Sequence, residues 1–156
     1  MRLLVIAPGR AQHPGAVGYL SDFSARIQRI LPLQRVVVRE GKRGRGADPL
    51  RAQRDEAAAM LAAVPPGALV VALDASGKSL DSDRFLDFFV GALEAGSTSI
   101  CFLIGGPEGH HRSVLDRAQH KLSLSQMTLP HELAEVVLHE AIYRALTRWK
   151  GLPYHR

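Results

Sequence analysis

A glycine cluster, Gly105-Gly106-Pro107-Glu108-Gly109, follows directly on the apolar run Ser99–Ile104. Glycines after a buried strand let a ligand approach backbone amides closely, and open α/β sheets bind small molecules at that C-terminal edge. Taken alone, they mark only a turn. Further along, Leu122-Ser123-Leu124-Ser125-Gln126-Met127-Thr128-Leu129-Pro130 alternates apolar with small hydroxyl residues. Such a loop offers apolar walls and backbone hydrogen bonds to an adenine ring. The C-terminus combines Tyr143, Arg144, Trp149, Lys150, Tyr154, His155 and Arg156. Aromatic and basic residues together stack on bases and contact phosphates, although structural packing is the plainer use of the aromatics. Finally, Lys42, Arg43 and Arg45 lie in the Gly-spaced segment REGKRGRGAD, Arg39 to Asp48. A flexible cationic segment of this kind follows an RNA backbone without specifying bases, or remains solvated charge.

Two other motifs fail their chemical requirements. Ser76-Gly77-Lys78-Ser79 follows an apolar run, but a phosphate loop needs a glycine five residues before Gly77, where Ala72 stands. A plain turn is the better reading, and a nucleotide-hydrolysing switch ranks last. His131-Glu132 opens like a zinc-protease signature, yet the position of the second histidine is Glu135. His131, Glu135 and His139 share one helix face at i, i+4 and i+8; a polar face with one His–Glu pair is expected there rather than a metal site.

The elements that must position these residues alternate. Leu3–Ala7 reads as a buried strand closed by Pro8-Gly9, Ala16–Leu31 as an amphipathic helix, and Val36–Val38 as a second strand. Asp48 and Pro49 cap a helix reaching about Val64, and Ala68–Leu73 makes a central strand. A helix starts at Ser82-Asp83, Ser99–Ile104 is a further strand, and a short helix lies near Arg112–His120. Lys121–Leu124 and a final helix from Pro130 to Trp149 complete one domain, 1–156, with a parallel sheet covered on both faces. The net charge of +5 favours polyanionic partners. The single cysteine, Cys101, excludes an internal disulfide and suits a reducing cytoplasm, and no apolar stretch is long enough for a membrane span.

Taken together, Leu73-Asp74 with Gly77-Lys78, Phe102–Gly109, Leu122–Ser125 with Met127–His131, Tyr143-Arg144-Ala145 and Pro153-Tyr154-His155 resemble the bacterial RlmH family along nearly the whole chain. Members are SPOUT-type enzymes that use S-adenosylmethionine to methylate N3 of a pseudouridine in large-subunit ribosomal RNA, and they act as homodimers. The resemblance implies an α/β fold whose C-terminal segment forms a deep trefoil knot, the final helix packing against the partner subunit. It implies a cofactor site at Leu73, Gly105, Gly106, Leu124, Ser125, Gln126, Met127, Thr128 and Leu129, with no metal. His155 and Arg144 become the candidates for assisting loss of the N3 proton, with Tyr154 stacking on the base. Substrate contacts then fall to Arg144, Tyr154, His155, Lys42, Arg43 and Arg45, the substrate being rRNA or an assembled ribosome. A catalytically inactive ribosome- or RNA-binding protein of the same fold is the alternative. Two departures stand out: Glu135 where family members commonly carry Arg, and Gly109-His110 where they carry Gly-Leu.

Overall fold

In the computed structural model, which describes residues 1–154, strands and helices alternate throughout. They run β1 (Arg2–Pro8), α1 (Pro14–Gln28), β2 (Leu33–Val38), α2 (Pro49–Ala62), β3 (Leu69–Ser79), α3 (Ser82–Glu94), β4 (Ser99–Ile104), α4 (Arg112–Arg117), β5 (His120–Ser123) and α5 (His131–Trp149). All strands are parallel, in the order β2-β1-β4-β3-β5.

Parallel strands need crossovers, and the crossovers cover both faces of the sheet. Leu3, Val5, Val71, Ile100 and Phe102 point to one side, against Ile27 of α1, Phe89 of α3 and Leu138, Ile142 and Leu146 of α5. The intervening Leu4, Ile6, Val70, Cys101 and Leu103 point to the other, against Met60 of α2 and Val114 of α4. This two-sided burial is why β4 reads SICFLI without a polar alternation. The Cys101 thiol lies within that second layer and is reduced and buried.

The helix starts follow from their caps. Asp48 accepts a hydrogen bond from the Leu50 amide with Pro49 at the first helical position. In α1 the cap is His13, whose Nδ1 accepts from the Gly15 amide, so the helix begins two residues before Ala16.

Two local expectations are corrected. Ser76-Gly77-Lys78-Ser79 is not a turn but the end of β3. Pairing with β5 breaks after Leu73 and resumes at Lys78 opposite Leu122, a bulge that lengthens the strand. A Cβ at Gly77 would lie 2.6 Å from the Lys121 carbonyl carbon. The glycine that suggested a phosphate loop therefore serves close approach of two backbones.

The expected polar face of α5 is also absent. Glu135 is 4% exposed and His139 0%. Glu135 pairs with neither histidine side chain: Arg35 of β2 donates from Nε to its Oε1 at 2.7 Å. His139 donates from Nδ1 to the Glu135 carbonyl at 2.8 Å, leaving Nε2 buried without a partner. Among the described residues no cluster of His, Cys, Asp and Glu is arranged to hold a metal ion.

Two outcomes are expected. Glu135→Arg, which sets two guanidinium groups together, lowers denaturant stability by roughly 3 kcal/mol, and the double swap Arg35→Glu/Glu135→Arg restores part of it. Burial pushes the pKa of His139 below its ordinary 6.5, against the raising influence of Glu135, and does the same for His110. The unfolded chain then binds more protons just below pH 6.5, so stability is full above that value and falls as pH drops towards the folded-state pKa. Thermal midpoints between pH 7.5 and 5 should decline, and decline less in His139→Met.

Candidate functional site

The C-terminal ends of β3, β4 and β5 open onto a cavity of about 740 Å³. That volume lies within the range of small-molecule sites, and the position is the one open α/β sheets use. Leu73, Asp74 and Ala75 come from the break in β3, Ile104 and the loop Gly105–Gly109 from β4. The segment following β5 supplies Leu124, Ser125, Met127, Thr128 and Leu129, with Pro130, His131 and Ala134 leading into α5. The residues expected to hold the cofactor thus meet around one space, Gln126 being the exception outside its lining. Ser123 donates to the Ser125 carbonyl and Ser125 accepts from the Met127 amide. The hydroxyls accordingly shape the loop and leave its apolar side chains as walls.

Chain geometry explains the glycines differently from ligand approach. A Cβ at Gly105 would lie 2.9 Å from the Gly109 carbonyl carbon, and one at Gly106 would lie 2.6 Å from Glu56 Oε2 and 2.9 Å from Arg43 Nη2. The loop folds tightly on itself through a Gly109 amide to Gly106 carbonyl bond at 2.9 Å, with Gly109 at φ 75°. Its outer side is braced. Arg43 donates to Glu56 through Nη1 at 2.6 Å and Nη2 at 3.1 Å, and to Glu108 through Nη2 at 2.5 Å. Gln53 adds a bond to the Glu108 carbonyl at 3.1 Å. Arg43 also holds the Glu108 carboxyl below the usual carboxylate range.

The cavity's charge is one-sided. Asp74 and Glu108 line it, and among the described residues neither lysine nor arginine does. Asp74 is kept ionised first by the Ser76 hydroxyl, which donates to Oδ1 together with the Ser76 amide. Apolar walls, exposed loop backbone and the Asp74 carboxylate, Glu108 being paired with Arg43, suit a ligand with a flat apolar ring and positive charge. Behind the glycine loop His110 donates from Nε2 to the Leu103 carbonyl at 3.0 Å and is held neutral by burial.

The other expected residues lie apart. Arg144 reaches Glu140 on α5, its guanidinium sits 5.3 Å from the centre of the Tyr154 ring, and the Tyr154 hydroxyl donates to Glu140 at 3.3 Å. Arg144 lines a smaller cleft that shares Ser123 and Leu124 with the cofactor cavity. His155 lies outside the described residues. Lys42 and Arg45 face a separate basin with Arg39 and Arg51, whereas Arg43, expected beside them as an RNA contact, also turns inward to the two glutamates. Sequence reasoning missed Glu56 and Gln53. Glu56 left one signal, a carboxylate on the buried Ala52-Glu56-Met60 stripe of α2.

Comparison with known proteins shows the family. The family described as Predicted SPOUT methyltransferase matches residues 1–155. Proteins named Ribosomal RNA large subunit methyltransferase H are similar over nearly the full length. One from Solidesulfovibrio magneticus is 40% identical, covering 98% of this chain and 97% of its own. One from Nitratidesulfovibrio vulgaris is 39% identical with the same coverage, and one from Stenotrophomonas maltophilia 37% identical, covering 100% and 99%.

The brace predicts a double dissociation. Arg43→Ala should weaken cofactor binding roughly tenfold, about 1.4 kcal/mol by calorimetry, with Arg43→Lys intermediate because an ammonium cannot span both carboxylates. Lys42→Ala/Arg45→Ala should leave cofactor affinity unchanged and flatten the salt dependence of RNA binding. The reverse pattern would make Arg43 the RNA contact.

Proposed function

We propose, because the chain belongs to the SPOUT methyltransferase family, that it methylates N3 of a pseudouridine in large-subunit ribosomal RNA, with S-adenosylmethionine as donor. The observation that carries this reading is the single cavity formed by Leu73, the Gly105–Gly109 loop and the Leu124–Leu129 segment. The methyl donor's sulfonium arrives already activated, so no protein nucleophile is required. The chain's own residues have three tasks. Leu73, Ile104, Leu124 and Leu129 exclude water and wall the adenine. Asp74 favours a positively charged ligand over a neutral one, Glu108 being paired with Arg43. Arg144, ion-paired with Glu140 in the adjoining cleft, is the candidate to stabilise the anion developing as N3 loses its proton, with Tyr154 the candidate to stack on the base and His155 a further candidate to take that proton.

A homodimer with the knotted C-terminal segment of the family belongs to the same proposal. Its support is the exposed apolar surface of α1 and α5, which pack side by side: Tyr19 is 60% exposed, and Val17 and Leu133 are also exposed. The apolar stripe of α5 faces its own sheet, so these outer residues are what remains for a partner. Among the described residues no helix is long and apolar enough to cross a membrane. A cytoplasmic site of action, where ribosomes assemble, fits the proposed substrate.

Calorimetric titration with S-adenosylmethionine should give saturable binding, abolished by Ala134→Trp, which fills the cavity from α5. A bulky residue at Gly105 would instead collide with Gly109 and His110. Labelled methyl should pass to ribosomal RNA from wild type but not from Ala134→Trp. A folded wild type that binds no donor would overturn the reading in favour of an inactive RNA-binding protein.

A further inference from the structure

A fourth concavity, about 450 Å³, opens at the outer edge of the sheet, where among the described residues β5 has no further strand beside it. Lys78 from the end of β3, Lys121 from β5 and Arg84 from α3 converge on it, with Asp87 the single acid in its lining. Among the described residues Lys78 and Lys121 enter no ion pair, and Arg84 has only an exposed contact with Asp81 at 3.8 Å. The same rim carries an aromatic pair: Phe88 and His120 meet edge-on with ring centres 5.0 Å apart, and His120 is exposed. Lysines on an edge strand also prevent sheet-to-sheet pairing. That role needs neither a cation from a helix nor an exposed ring, and this groove has both.

Its position is informative. The groove shares Lys78, Leu80 and Leu122 with the Arg144 cleft, and that cleft shares Ser123 and Leu124 with the cofactor cavity. The three are therefore neighbours in the order cavity, Arg144 cleft, basic groove. We infer that the groove of Lys78, Lys121, Arg84 and His120 is a subsite for the single-stranded RNA flanking the target nucleotide. The cations meet its phosphates and the His120 ring stacks on a base. This rests on the RNA methyltransferase reading and deepens it, because it states the side from which substrate enters. The groove's charge excludes a basic partner, and its aromatic rim distinguishes it from a purely electrostatic patch.

The test uses Lys78→Glu/Lys121→Glu and, separately, His120→Ala, with donor binding as the control for folding. The probes are a short single-stranded RNA of mixed sequence and purified large-subunit ribosomal RNA. The charge reversal should weaken oligonucleotide binding at least about tenfold and flatten its salt slope by about one per cation. KM for ribosomal RNA should rise while donor affinity stays unchanged. His120→Ala should weaken binding with no change in slope. Unchanged RNA affinity and slope in variants that bind donor normally would overturn the subsite, as would selective loss of binding to an acidic protein with RNA binding intact. If wild type binds the oligonucleotide through this groove but methylates no ribosomal RNA, the functional reading fails and the subsite stands.

Discussion

A carboxylate that is 1% exposed needs close hydrogen-bond donors and a counter-ion in place of water, and Glu56 is such a carboxylate. It draws Arg43 inward, and Arg43 carries the charge on to Glu108 in the loop that borders the cofactor cavity. Glu56 also accepts from the Gly41 amide at 2.9 Å, so one buried group fixes the start of the basic segment and, through Arg43, the glycine loop. Gly106 is small because the Arg43–Glu56 pair occupies the space a side chain would need. Two loops that sequence reading treats as separate devices, one for RNA and one for the donor, are thereby one mechanical unit. Movement of either at Arg43 must be felt by the other, since a bidentate guanidinium tolerates little displacement.

The same economy appears in how charge is distributed. The chain is basic overall, at +5, yet among the described residues no lysine or arginine lines the cavity at the ends of β3, β4 and β5. Positive charge sits outside it, in the Lys42–Arg45 segment, at Arg144 and along the β5 edge. A cavity with the Asp74 carboxylate in its lining favours a cationic ligand over a neutral one, and the surrounding cations favour a polyanion.

Most of the sheet was legible because its chemistry is local. The run SICFLI is apolar throughout since β4 lies between β1 and β3, and Asp48-Pro49 announces α2 by capping alone. The misreadings all involve partners distant in sequence. Ser76–Ser79 extends β3 because β5 lies alongside, and Gly77 answers to Lys121 and Leu122. Glu135 and His139 keep a helical polar spacing, but the face they share is buried, and the cation that permits it, Arg35, is 100 residues away. The resemblance to a family named most of the residues that line the cavity; its brace was not legible, because Glu56, Arg43 and Glu108 come together only when the basic segment, α2 and the β4 loop are packed.

Glu135 shows how a departure from a family pattern is absorbed. A carboxylate in place of arginine on α5 would repel RNA if it faced the substrate. Instead it is buried against β2 and neutralised by Arg35, and it contributes nothing to the lining of the donor cavity or the Arg144 cleft. The pair cross-links α5 to the sheet. Since α5 delivers His131 and Ala134 to the cavity and Arg144 to the neighbouring cleft, the Arg35–Glu135 pair bears on both through the placement of one helix, with neither of its own side chains in their lining.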